Sequence, residues 1–84
     1  MSRDDTYLVD ILECARIALD YVSRKSWDQF EEDLQCQDAV LRRIEIIGEA
    51  ARHISPQTRK RHPQIPWREM ATLRNLVIHQ YDVV

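Results

Sequence analysis

Apolar residues return at three- and four-residue steps along three stretches of this chain, the period of helices that bury one face. In the first stretch Leu8, Ile11, Leu12, Ala15, Ala18, Leu19 and Val22 stack on one side, and Asp10, Glu13, Arg16, Asp20 and Arg24 fall on the other. A helix is predicted to begin after Asp4 or Asp5, either of which can cap exposed amides, and to run to about Lys25. Asp20 and Arg24, one turn apart, make a predicted solvent-side pair worth only about 0.2–0.5 kcal/mol.

Ser26-Trp27-Asp28-Gln29 has the form of a capping box, so a short second helix is expected from Trp27, carrying Phe30 inward. From about Leu34 to Ile54 the inward set is Val40, Ile44, Ile47, Ala51 and Ile54, with Leu41 and Gly48 alongside, which predicts a second long helix. Glycine costs about 1 kcal/mol against alanine inside a helix. Gly48 therefore marks either a close approach by a neighbouring helix or a tolerated neutral position. Ser55-Pro56 breaks this helix and can open a short turn, because proline at the first helical position gives up no needed hydrogen bond. Pro63-Gln64-Ile65-Pro66 predicts extended backbone and a change of direction. Trp67 then starts a last helical stretch with Met70, Leu73, Leu76, Val77 and Gln80 inward, and is read as a core anchor ahead of a base-stacking role.

An all-α protein follows, and the composition agrees: 84 residues are 44% apolar and 31% charged, with one glycine and three prolines. A chain this short supports one domain over residues 1–84. Folded alone it buries little more than about 60% of the surface its unfolded form exposes, so a partner subunit is physically attractive. The net charge of −2 announces no overall positive field, yet its distribution is uneven. Residues 1–51 carry six basic and twelve acidic groups, whereas residues 52–74 carry Arg52, Arg59, Lys60, Arg61, Arg68 and Arg74 against Glu69 alone. Such a run is either a solvated face or a guide for phosphates.

Cys14 and Cys36 form no CxxC or Cys/His pattern with His53, His62 or His79, so no zinc site is expected. The charged amino terminus followed by an amphipathic stretch predicts neither a signal peptide nor a membrane span, and a cytoplasmic address.

The densest chemistry lies at Arg74, Asn75, His79 and Tyr81, within eight residues of an otherwise apolar helical run. Arginine presents a permanent guanidinium fork suited to phosphate oxygens, and histidine can both take and give a proton near neutrality. Together they suit metal-free phosphodiester cleavage. At about 100° per residue, Arg74 and Tyr81 share a helix face while His79 stands about 140° away from Arg74. One straight helix does not clasp a phosphate between both. A pocket requires the arginine to bend across, a distorted helix, or two copies of the segment facing each other, and a two-fold dimer would gather two sets into one cleft.

The pattern Arg74-x4-His79-x-Tyr81, with Asn75 directly after the arginine, resembles the signature of HEPN-domain proteins of the HepT toxin type. Residues 38–51, Asp-Ala-Val-Leu-Arg-Arg-Ile-Glu-Ile-Ile-Gly-Glu-Ala-Ala, resemble that family's central helix, and Ile65-Pro66-Trp67 resembles the lead into its motif helix. The likeness covers about residues 6–84. It implies a HEPN-type bundle of up-and-down helices that dimerises through the motif helix, C-terminally short because members continue beyond the tyrosine with a further helix. It also implies the toxin of a two-gene system, a metal-independent endoribonuclease without cofactor that cuts RNA with Arg74 and His79. Asn75 would support the site. An MntA-type nucleotidyltransferase antitoxin would adenylylate Tyr81. The alternative is a non-catalytic helical module that pairs with a nucleotidyltransferase or with itself. His53 and His62 match no motif and are read as structural or solvent residues, and Glu49 as a cleft-facing or a surface carboxylate.

Overall fold

The computed structural model describes residues 2–73, and every regular element among them is helical. The first, α1, spans Arg3–Ser23. Its cap is Ser2, whose hydroxyl accepts from the Asp5 amide at 3.1 Å while Asp5 accepts from the Ser2 amide at 3.3 Å. The predicted start at Asp4 or Asp5 is thus corrected to a capping box two to three residues earlier. Asp5 serves as its third-position acid, and Asp4 is spent elsewhere. The short α2, Trp27–Glu32, starts on the predicted Ser26/Gln29 box, and Phe30 is half-buried.

The second long helix, α3, spans Leu34–Arg52. Asp33 caps it by accepting from the Cys36 amide at 3.0 Å and also binds Lys25 at 2.9 Å. Its carboxyl is held below the ordinary value first by the Lys25 hydrogen bond and then by the Cys36 amide. Ion pairs among the described residues join Lys25 to Asp33, Arg42 to Glu45 and His53 to Glu49, in place of the expected Asp20–Arg24 pair.

α1 and α3 pack antiparallel. Going down α1 and up α3, Cys36 donates its thiol to the Tyr21 carbonyl at 3.7 Å, and Arg43 reaches the Cys14 sulfur at 3.9 Å. The Tyr7 and His53 rings stack with centroids 5.0 Å apart, and Asp4 meets Ser55 at the far end. The buried residues of this pair are small: Cys14 on α1, and Cys36, Gly48, Ala50 and Ala51 on α3. Burial of Gly48 fits the close-approach reading, since a missing Cβ lets a neighbouring helix come nearer.

The inward face of α1 is corrected as well. Leu12 and Leu19 are 72% and 67% exposed, and Cys14, not a leucine, is the buried residue of the helix. Leu8, Ile11, Ala15, Ala18 and Val22 are half-buried as expected, and the buried side extends from them to Tyr7, Cys14 and Tyr21 instead of to the two leucines. Small side chains at the middle of that side allow the α1–α3 contact that leucines would wedge apart.

After α3 the chain changes character. A six-residue helix, α4, spans Pro56–Arg61, capped by Ser55 with Pro56 in its first turn, as expected. The chain turns over residues 63–65 as expected, and His62 before Pro63 lies outside the α region at φ −130°, ψ 63°; the run itself is not extended, because the Ile65 amide bonds back to the His62 carbonyl at 3.2 Å. The last described helix, α5, covers residues 67–73. Trp67 is buried at its start and donates its indole N–H to the His62 carbonyl at 3.0 Å, so the anchor role holds. Met70 is half-buried, but Leu73 is 41% exposed.

Candidate functional site

Arg74, Asn75, His79 and Tyr81 lie outside the described residues, as do Leu76, Val77 and Gln80. The described structure shows the platform that leads into them. That platform is the segment 52–73, held by polar caps and by the buried Ile54 and Trp67.

Two side chains organise it. Asp4, in the first turn of α1, accepts from the Ser55 amide at 3.1 Å and from the hydroxyls of Ser55 and Thr58 at 2.5 Å each. It therefore caps α4 from across the molecule, where a carboxylate is favoured by the exposed amides of the first turn. The Ser55 hydroxyl first, then Thr58 and the Ser55 amide, lower the Asp4 carboxyl below its ordinary value, and the nearby Arg61 charge adds to this. Thr58 is 3% exposed and also accepts from Arg61 at 3.2 Å.

Arg59 does the converse at the end of α3. Its guanidinium donates to the carbonyls of Ile54 at 3.1 Å, Ala51 at 2.9 Å and Arg52 at 3.2 Å. Ala51 and Arg52 belong to the last turn of α3, where carbonyls lack the donors of a further turn, and Ile54 follows just beyond it. The basic run is thereby divided. Arg59 and Arg61 are engaged in the fold, whereas Arg52, Lys60 and Arg68 are exposed around the lead into residue 74. Residues 52–73 hold five basic groups and one acidic group, Glu69. A shallow hollow of about 340 Å³, lined by Arg68, Glu69, Thr72 and Leu73, lies on the described part of α5.

On the other side a groove of about 280 Å³ runs between α1 and α3, lined by Tyr7, Asp10, Arg42, Glu45, Ile46, Glu49 and Ala50. Its three carboxylates outnumber Arg42, so it repels phosphate. Glu49 lines it, and its Oε1 lies 3.3 Å from His53 Nε2, accepting when that ring nitrogen carries the proton. His53 is thus a half-exposed helix-end residue stacked on Tyr7, in the structural class expected for it.

Sequence reasoning missed Asp4 and Arg59. Asp4 looked like a cap for its own helix, and its real partners sit 51 and 54 residues away. Arg59 carries a local signal: an arginine five residues beyond the last apolar position of a helix, after a proline turn, can fold back over that helix end.

Among the described residues no group of three or more His, Cys, Asp or Glu could hold a metal ion, and no helix is long and apolar enough to cross a membrane. Both cysteines are free and buried.

The sequence profile described as "Ribonuclease HepT-like" matches residues 11–84. An inferred RNase of Methanocaldococcus jannaschii is 40% identical over 83 residues, covering 96% of this chain and 76% of the relative. A second inferred RNase of the same organism is 39% identical over 75 residues, covering 89% and 62%. The inferred ribonuclease HepT of Thermococcus cleftensis is 41% identical over 75 residues, covering 89% and 68%. The chain spans roughly three fifths to three quarters of the length of these relatives. No solved structure matches.

Proposed function

We propose, from the fact that this chain belongs to the HepT-like ribonuclease family, that residues 1–84 form one domain that cuts RNA without a metal or cofactor, using Arg74 and His79. The observation that carries this reading is Arg74-x4-His79-x-Tyr81 standing directly after a basic, firmly anchored platform. Two copies joined through the motif segments would give a cleft with two histidines. One His79 takes the proton of the ribose 2′-hydroxyl, and the 2′-oxygen attacks phosphorus. The bond to the 5′-oxygen breaks, and the second His79 supplies that oxygen's proton. The products are a 2′,3′-cyclic phosphate and a 5′-hydroxyl. Arg74 offsets the charge that grows on the phosphate, and Asn75 orients the motif. The 2′-hydroxyl requirement confines cleavage to RNA.

Such an activity fits a toxin, and its control would act at Tyr81. A nucleotidyltransferase antitoxin of the MntA type that transfers AMP to the Tyr81 hydroxyl would put bulk and negative charge where RNA phosphate must sit. Arg52, Lys60 and Arg68 would draw the RNA backbone toward the cleft, and such contacts weaken with salt.

The test is incubation of labelled RNA with the wild-type chain and with His79→Ala in excess EDTA. Cleavage by the wild type that disappears in the variant is expected. A folded wild type that cuts nothing sinks the reading and leaves the non-catalytic binding module in its place.

A further inference from the structure

The outer face of α1 is better suited to a second copy of this chain than to water. Leu12 and Leu19 lie seven residues apart on the side away from α3, 72% and 67% exposed, with Val9 45% exposed beside them. Seven residues is two turns, so the pair forms one seam. The described interior is poor in large side chains: its buried apolar members are Cys14, Cys36, Ala50, Ala51, Ile54 and Trp67, and no large side chain is fully enclosed. A small domain with its leucines outside gains stability by burying them against a partner.

The face is complementary to itself. In an antiparallel α1–α1 pair related by a two-fold axis beside Arg16, Leu12 of each copy meets Leu19 of the other. Glu13, Arg16 and Asp20 share one flank of the seam, and the two-fold sets that flank against its own copy. Arg16 then falls between the opposite charges Glu13 and Asp20 of the other copy. Leu8, Ala15 and Val22 make up the other flank, which is apolar. Beside Leu19 a hollow of about 350 Å³, lined by Arg16, Ile17, Asp20 and Ser23, gives an incoming leucine room.

We infer that α1 is a self-association surface, packing antiparallel on α1 of a second copy with Arg16 next to the two-fold axis. It stands apart from the motif-segment dimer proposed above. A chain with both surfaces assembles beyond a dimer.

The test is sedimentation velocity of the full chain over a wide concentration range, with Leu12→Glu/Leu19→Glu and Arg16→Cys beside the wild type. The wild type should sediment as a multiple of its 10.0 kDa chain mass, and the double variant should show half that mass or less with unchanged helical circular dichroism. Both native cysteines are buried, so under mild oxidation Arg16→Cys should form a disulfide-linked pair, whereas a cysteine at exposed Arg42 should not. A wild type that stays at 10.0 kDa throughout, or whose mass the leucine changes leave untouched, overturns the inference. If the double variant misfolds, Arg16→Cys decides alone, and its failure to link overturns the inference too. RNA cleavage by the same proteins separates this outcome from the ribonuclease reading, since neither substitution touches the proposed catalytic residues.

Discussion

The pair α1–α3 and the segment 53–73 are built by different physics. The helix pair is long and acidic, with the small buried residues Cys14, Cys36, Gly48, Ala50 and Ala51 in place of large apolar ones. The segment that follows is short-helical and basic; hydrogen bonds to Asp4 and from Arg59 and Trp67 hold it, beside the buried Ile54 and Trp67. Helices of six residues do not hold their shape by propensity alone. Here each end is clamped by a side chain that reaches in from elsewhere. The segment before the motif is therefore positioned by directional contacts that tolerate little displacement, while the long pair serves as the block they are fastened to.

The largest expected effect comes from removing the largest buried side chain of the second region. Trp67→Ala should cost about 3–5 kcal/mol in urea unfolding, because it opens a cavity and leaves the His62 carbonyl without its indole donor. A cost below about 1 kcal/mol would show that the region does not depend on that ring. Next comes the buried glycine of α3: Gly48→Leu should cost roughly 1–3 kcal/mol by overfilling an enclosed site. An unchanged melting midpoint would argue against an enclosed site there.

Arg59→Ala should come third, at about 1–2 kcal/mol, since three carbonyls at the end of α3 lose a charged donor but can partly recover water. Arg59→Lys should restore only part of this, because one ammonium cannot span the Ile54, Ala51 and Arg52 carbonyls together. If lysine rescues fully, the fork geometry is irrelevant. The smallest effect is the pH dependence carried by Asp4. Its carboxyl is depressed in the fold, so its stabilisation is present above the ordinary carboxylate range and fades as pH falls through the depressed value. Asp4→Asn should flatten that part of the stability–pH curve, and an unaltered acid limb in chemical denaturation would remove Asp4 from the account.

The difference between the two regions also sets what could be read in advance. The Ser26/Gln29 capping box, the Pro56 turn, the Trp67 anchor and the existence of both long helices follow from local rules, and all were legible. The full inward face of α1 was not. Leu12 and Leu19 are among the large apolar residues of that helix, yet its contact with α3 takes in Cys14 and Tyr21, a preference that belongs to the pair of helices and not to either sequence. Asp4 was misassigned for the same reason, since its use as a distant cap depends on where Ser55 and Thr58 arrive in space. The motif Arg74-x4-His79-x-Tyr81 was legible as chemistry by its residue types and order alone. Its geometry falls outside the described residues, so the roles of Arg74, Asn75, His79 and Tyr81 stand as proposals that kinetics must test.

The central claim is that this HepT-like ribonuclease cuts by attack of the ribose 2′-oxygen, with His79 moving the protons. The most direct measurement uses an RNA whose preferred cleavage site, once mapped, is remade with a single 2′-deoxy nucleotide on its 5′ side, followed by analysis of the product ends. The account predicts 2′,3′-cyclic phosphate ends from the unmodified RNA and no cut at the deoxy position, in excess EDTA. Cutting at the deoxy position, or products bearing 5′-phosphate ends, would contradict it.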